Sequence, residues 1–463
     1  MAKRPFPFKV KLSAICGVFV VFILGLDCFQ IDLSFTDTFD SVDSEPSLRG
    51  LQQPPKPHPH AGAKDSLGNY GYVHDPSIIR RAFETNSTLT RYTIAPHEYE
   101  SVCAPRYEGP EGYFGYQALT QKLNVPIKPP SKAAQKLRVF CGIYTHPGAK
   151  AKANLQAIRE TWGPRCDGFM AASTETDADT GVVHIPHFGG FEGKYKNIWQ
   201  KVRSMLGYVA DNFADDYDFF HFLGDDTFLI MEHLKEFLVS DAVLQAGGGP
   251  GYPKPVYTGN WMKCQWLTPW MFVPFVPWNR AERLYMSGGS GYTLSRSALQ
   301  HLVRDLLPIC EAETIAPWED YNVGQCFAKS NYSNTLNNDD SHEPIPGLLP
   351  VDSRDAAGAQ RYHTYELDVT ASGLGYLPMK QFEGQSNAYG FDRKYGLDTI
   401  SSSAISFHYL QSSAVIRRYE KLLYRRDLDS TDCPVEVPAK HGGAIPYKYW
   451  WPLWKSRFLF SKL

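Results

Sequence analysis

From about residue 135 the chain alternates short apolar runs with longer amphipathic ones, and this rhythm constrains the fold more than any other feature. "LRVFCGIYT" reads as a buried strand, and "AKANLQAIRETW" spaces its apolar residues as a helix does. "FMAAS" and "GVVHIPH" read as further strands, "KNIWQKVRSMLGYVADNF" as a longer amphipathic helix, and "DFFHFLG" as a buried strand running straight into Asp225 and Asp226. Strands alternating with helices predict an α/β layer fold with a mostly parallel central sheet. Ligands of such sheets bind beyond the carboxyl ends of the strands, where these two aspartates fall.

Taken by itself, the Asp225-Asp226 pair has two readings. It is either a turn or cap before the helix predicted at "MEHLKEFL", or a metal site. Three later segments bear on the choice. In "LYMSGGSGYTLSRSAL", Gly288, Gly289 and Gly291 mark either a tight turn or a backbone that something approaches closely. In "APWEDYNVGQCFAK", Glu319 and Asp320 stand at a predicted helix N-terminus, where the macrodipole favours carboxylates whether or not they do chemistry. In "AISFHYLQ", His408 lies inside an apolar, strand-like run, as a satisfied core histidine or as a ligand.

The ends of the chain indicate its setting. Basic residues 3–11 precede an uncharged apolar run at 12–26, extendable to 31, and acidic residues follow, the pattern of an uncleaved signal anchor with the body lumenal. The organisation expected is a cytoplasmic tail at 1–11, a transmembrane helix at 12–31 and a Pro-rich stem at 32–65. A partly ordered, aromatic extension at 66–134 packs on a catalytic domain at 135–425, and an aromatic and basic extension follows at 426–463. The terminal Ser461-Lys462-Leu463 matches a peroxisomal address that a chain inserted during synthesis never presents to its receptor. Sequons at Asn86 and Asn331 fit a lumenal body. A net charge of −2, with Lys and Arg dispersed, gives no footprint for nucleic acid. Cys103, Cys141, Cys166, Cys264, Cys310, Cys326 and Cys433 lie beyond the anchor and should mostly pair in an oxidising lumen; none has the spacing of a structural zinc site.

Together these segments resemble the inverting β1,3-glycosyltransferases of family 31, and within it the core 1 galactosyltransferase branch more than the Fringe branch. "AIRETWG" (157–163) resembles a family helix motif, and "NIWQK", ending at Lys201, its Asn-Leu-Thr-x-Lys segment. "GDDTF" stands in the place of the metal motif, "MSGGSGY" in that of the glycine-rich segment, "WEDYNVGQC" in that of the acidic catalytic segment, and "SFHY" in that of the C-terminal metal histidine. "DSRD" (352–355) followed by His363 points to the core 1 branch. The motifs keep the family's order over roughly residues 135–415.

The resemblance implies a GT-A-type nucleotide-sugar-binding fold. It implies Mn²⁺ held by Asp226 and His408, and a UDP-sugar donor contacted by Asp225, Arg159, Lys201, Gly288 and Gly289. Asp320 is implied as the general base toward an acceptor hydroxyl, with Glu319 supporting it, and Cys141–Cys166 and Cys310–Cys326 as disulfides. The expected partners are the UDP-sugar, a glycan or glycoprotein acceptor, the Golgi or endoplasmic reticulum membrane and, as a further candidate, a second copy in a homodimer. One departure stands out: Gly224 replaces the first of the family's three acidic residues. It supports a rival reading, a catalytically silent glycan-binding or chaperone-like relative. A third reading, a metal-independent glycosidase, would use Asp226 and Asp320 as its two carboxylates. Trp261, Trp266, Trp270 and Trp278 form either a core flap or an aromatic platform for an acceptor.

Overall fold

The structure is a computed structural model that describes residues 123–177, 182–185, 187, 196–262, 285–328, 351–367, 370, 396–410 and 412–424, together with the backbone of 108–109, 112–113, 263–266, 281–284, 329–332 and 425. The expected tail, membrane segment, stem and C-terminal extension (1–11, 12–31, 32–65 and 426–463) lie outside the described residues, as does most of 66–134. Among the described residues no helix is long and apolar enough to cross a membrane.

A six-stranded sheet organises the large unit of the chain, Gln52–Met262 with Tyr285–Leu463. Its strands are β3 (Val139–Tyr144), β4 (Gly168–Ser173), β5 (Val182–His184), β6 (Phe219–Gly224), β8 (Tyr257–Gly259) and β11 (Tyr292–Ser295), in the order β5-β4-β3-β6-β11-β8. The pairs β5–β4, β4–β3 and β3–β6 are parallel, whereas β11 is antiparallel to both β6 and β8. The expected α/β class with a mostly parallel sheet is thus what forms. β3, β4 and β6 are near-continuous apolar runs because helices cover both faces of a parallel sheet. One face packs Ile143, Leu223 and Phe219 with Leu155, Ile158 and Trp162; the other packs Phe140, Phe220 and Phe222 with Val202, Met205 and Leu206.

Five helices hold these faces in place: α1 (Lys132–Lys136), α2 (Ala149–Glu160), α3 (Ile198–Phe213), α4 (Met231–Leu238) and α5 (Asp241–Ala246). Three more follow, α6 (Arg296–His301), α7 (Glu319–Tyr332) and α8 (Ser413–Glu420). α2 and α3 coincide with the two amphipathic stretches read from the sequence. Within 66–134, Leu123 and Val125 are buried in the first apolar face, and β1 (Glu108–Gly109) pairs antiparallel with β2 (Gly112–Tyr113). Two disulfides, Cys141–Cys166 and Cys310–Cys326, tie β3 to the turn after α2 and the loop before α7 to α7 itself. Each closes a short loop and stabilises the fold by about 3 kcal/mol.

Two smaller sheets complete the description. β9 (Trp261–Trp266) pairs with β10 (Ala281–Met286), and the small unit of the chain includes 263–284. Of the Trp-rich segment, Trp261 packs partly buried on the second apolar face and donates its indole N–H to the Val351 carbonyl, while Trp270 and Trp278 lie outside the described residues. The other small sheet has the order β12-β13-β7, from β7 (Phe228–Leu229), β12 (Tyr362–His363) and β13 (Ser406–Phe407).

Candidate active site

The site forms at the carboxyl edge of the parallel strands. Tyr144, the last residue of β3, is the register partner of Gly224, the last of β6, so Asp225 and Asp226 project just beyond the sheet. β11 begins at Tyr292 opposite Phe222 and runs antiparallel, which delivers the glycine-rich turn 287–291 to the same edge. β7 and β13 pair Phe228 with Phe407, so His408 arrives beside Thr227 and Asp226. This corrects one expectation: His408 lies past the end of its strand, not within it. Tyr409 adopts a left-handed backbone (φ 61°), which ends the ladder and turns the chain.

His408 Nε2 stands 3.3 Å from Asp226 Oδ1. On its other side the His408 Nδ1–H donates to the Thr364 carbonyl, 3.3 Å away, which orients Nε2 toward the aspartate. An imidazole nitrogen and a carboxylate oxygen so placed require a cation between them, either a proton on Nε2 or a metal ion. Ligands at adjacent corners of an octahedron with bonds of about 2.1 Å stand roughly 3 Å apart, so the pair fits an octahedral divalent ion. Among the described residues no group of three or more His, Cys, Asp or Glu side chains gathers for metal binding. The fit is therefore to an ion that takes its remaining ligands from substrate oxygens and water.

Glu319 and Asp320 open α7 on the other side of the glycine turn. Asp320 is held by two backbone donors, the Gly288 N–H to Oδ2 (2.9 Å) and the Tyr321 N–H to Oδ1 (2.7 Å). Glu319 is only 5% exposed. The glycines permit this crowding. A Cβ on Gly288 would lie 1.9 Å from Glu319 Oε1, and one on Gly289 would lie 2.0 Å from His408 Cε1. Consecutive Cα atoms are about 3.8 Å apart, so the His408–Asp226 pair and the Glu319–Asp320 pair flank a single strip of backbone.

The two pairs differ electrostatically. Burial and the adjacent Asp320 push the Glu319 carboxyl up to about 8. Burial also raises Asp320, against the two N–H donors that favour its charged form. For Asp226, burial works upward but the opposing His408 and the exposed Lys150 hold it below the ordinary carboxylate range. Half-buried Asp225 is pushed up to about 7 by burial and by Asp226, although Thr145, Lys201 and Lys150 pull the other way.

Thr145 and Lys150, which the sequence did not single out, act here beside residues that it did. The Thr145 hydroxyl donates to Asp225, and the buried Lys201 ammonium donates to the Thr145 carbonyl, so Lys201 braces the aspartate loop from behind. The Trp162 indole of "AIRETWG" donates to the Thr227 carbonyl (3.1 Å), and the Thr227 hydroxyl to the Gly289 carbonyl (2.7 Å). These contacts join the aspartate loop to the glycine turn. Lys150, in the first turn of α2, acts on both aspartates; Arg159 lies nine residues further along that helix, about 13 Å at 1.5 Å per residue. In "DSRD", Asp352 grips its own neighbour Arg354 (2.8 Å), and Arg361 donates to the Ser353 and Arg354 carbonyls. His363 is buried against the Phe407 ring (centroids 4.7 Å apart), and its carbonyl accepts the His408 N–H. His363 supports His408 through backbone and packing.

No protein-family model matches the chain. Among curated proteins it is similar to glycoprotein-N-acetylgalactosamine 3-beta-galactosyltransferase 1 of Xenopus laevis, with 27% identity over 282 residues, 60% of this chain and 64% of that protein. The chain thus spans a little under two thirds of the length of that relative. This similarity agrees with the branch that the ordered motifs resemble.

Proposed function

We propose that the protein is an inverting glycosyltransferase of the GT-A type. It moves a hexose, galactose being the first candidate, from a UDP-sugar to the 3-hydroxyl of a glycan acceptor such as O-linked N-acetylgalactosamine, forming a β1,3 linkage. The observation that carries the proposal is the placement of Asp226–His408 and Glu319–Asp320 on opposite sides of Gly288 and Gly289. A donor held by the first pair presents its anomeric carbon toward the second.

Asp226 and His408 would hold Mn²⁺, a sensible partner for carboxylate and imidazole. Held there, such an ion would supply positive charge against the leaving diphosphate. Asp225 and Lys150 line the same loop, and Lys201 keeps it in place through Thr145. Asp320 accepts the proton of the acceptor hydroxyl as that oxygen attacks from the face opposite UDP, so an α-linked donor yields a β-linked product. Its raised pKa makes it a stronger base than an ordinary aspartate, and the two N–H donors aim its oxygens. Protonated Glu319 places no second negative charge against it. An N-terminal signal anchor would set this chemistry in the lumen of the Golgi or endoplasmic reticulum.

The test is calorimetric titration of UDP into the full chain in detergent, with Mn²⁺ and with a chelator, followed by transfer assays over a panel of UDP-sugars. Metal-dependent UDP binding that disappears in Asp226→Ala is the expected result. Absence of binding under both conditions would overturn the proposal in favour of a silent glycan-binding relative.

A further inference from the structure

The glycine turn at 287–291 is bonded to both halves of the site. Two of its successive carbonyls accept a side-chain hydroxyl each: Thr227 donates to Gly289 O across 2.7 Å, and Ser406 donates to Ser290 O. Thr227 directly follows Asp226, and Ser406 stands two residues before His408. Each segment that supplies a member of the metal pair thus also supplies one hydroxyl to the turn. The two segments are themselves joined, since β7 pairs with β13 and places Leu229 opposite Ser406. Thr227, Ser290 and Ser406 are fully buried, so a carbonyl deprived of its hydroxyl has no solvent to turn to.

On its other side the turn reaches the base. The Gly288 N–H donates to Asp320 Oδ2 (2.9 Å), whereas Oδ1 accepts the Tyr321 N–H (2.7 Å) from the base's own helix. One carboxylate oxygen is therefore set by α7 and the other by the turn. The metal pair has anchors of its own. The Asp226 carbonyl accepts the Leu410 N–H (2.9 Å), the His408 N–H donates to the His363 carbonyl (3.1 Å), and the imidazole donates to the Thr364 carbonyl. The Trp162 indole holds the Thr227 carbonyl besides. Loosening the turn releases the base and leaves the metal pair seated.

We propose that Thr227 and Ser406 are positioning residues that act through the glycine turn. Their hydroxyls pin two successive carbonyls, and the pinned backbone aims the Gly288 N–H and, with it, the Asp320 carboxylate. This rests on the transferase reading above. On this account the two hydroxyls set the spacing between the metal pair and the base. That spacing decides whether an acceptor oxygen in line with the donor also meets its base, and a small error in it is costly to turnover.

The test is a kinetic and calorimetric comparison of variants of the full chain in detergent, with Mn²⁺, UDP-galactose and a GalNAc-bearing acceptor. Thr227→Val keeps the outline of the side chain and removes the hydroxyl, whereas Thr227→Ser keeps the hydroxyl. Thr227→Val and Ser406→Ala are each expected to lower kcat about tenfold, with Mn²⁺-dependent UDP affinity and the donor KM within about twofold, and Thr227→Ser to stay within about threefold of the wild type. In an Asp320→Asn background, where the base is already gone, Thr227→Val should cost no more than about a further twofold, a dependence that general loosening of the fold does not produce. Thermal melting identifies any variant that fails to fold, and Ser406→Ala carries the test if Thr227→Val is lost. Unchanged kcat in either variant, a loss in Thr227→Ser equal to that in Thr227→Val, or a tenfold loss that persists in Asp320→Asn overturns the positioning role while the transferase reading stands. A parallel loss of UDP affinity overturns it as well, since the hydroxyls would then serve the metal side. If the wild type binds no UDP in the presence of Mn²⁺, the transferase reading fails and the positioning role fails with it.

Discussion

The two sides of the glycine turn are built by opposite means. On the metal side, Asp226 and His408 come from distant parts of the chain, keep some contact with solvent (27% and 13% side-chain exposure), and are aimed by backbone groups of other segments, Thr364 O on the imidazole and Leu410 N–H on the Asp226 carbonyl. On the base side, Glu319 and Asp320 are neighbours in one helix turn, and Glu319 is almost fully enclosed. The difference matches what each side is asked to do. On the proposed reading a metal and a diphosphate would enter and leave, so their ligands would stay open, and a base would profit from the raised pKa that burial gives Asp320 beside the enclosed Glu319.

The sharpest way to separate the sides is Asp320→Asn. Transfer should fall by about 10³-fold, the scale of a lost general base, while Mn²⁺-dependent UDP binding stays within about twofold. Paired loss of both, measured by radiolabelled transfer and by calorimetry, would mean that the two sides do not divide the work. The converse variant, His408→Ala, should weaken Mn²⁺-dependent UDP binding about 100-fold and abolish its response to a chelator, with the melting temperature of the metal-free protein little changed.

A smaller effect is expected where the sides meet. Gly289→Ala puts a methyl group into the His408 ring, so the imidazole or the turn must move, at a cost of about 1–3 kcal/mol of stability. Urea unfolding should show that loss, together with weaker metal binding. A Gly289→Ala protein with unaltered stability and metal affinity would mean that the turn yields freely.

The smallest effect is one of pH on stability. Glu319 has a folded pKa of about 8 against an ordinary 4.5, so between those values the unfolded chain ionises and the folded one does not. The folded state binds more protons there, and stability falls as pH rises through the window. Glu319→Gln keeps the size of the side chain but cannot ionise. It should melt above the wild type at pH 8, with the difference closing toward pH 4.5. A constant difference across that range would show that Glu319 does not retain its proton in the folded protein.

Much of this site was legible before any fold was known. The strand and helix stretches from "LRVFCGIYT" to "MEHLKEFL" appear where periodicity placed them, because burial on both faces of a parallel sheet writes itself into apolar runs. Asp225, Asp226, Glu319, Asp320, Gly288, Gly289, Lys201 and His408 were all named from motif order, and the structure gathers them at one edge. Lys150 and Tyr144 carried no comparable signal, since an exposed lysine and a strand-end tyrosine look ordinary in a linear text. Arg159 was singled out from the same motif whose Trp162 braces the Thr227 carbonyl.

The sequence by itself determined the order of the elements, the α/β class and the residue types available for chemistry, because these follow from local periodicity and composition. The tertiary structure alone decided which of those residues meet. Asp226 reaches His408 through the pairing of two-residue strands, too short to leave a pattern, and Glu319 and His408 close on the turn only because Gly288 and Gly289 leave the space open. Register and vacant volume are properties of pairs of segments, and no single stretch of sequence contains them.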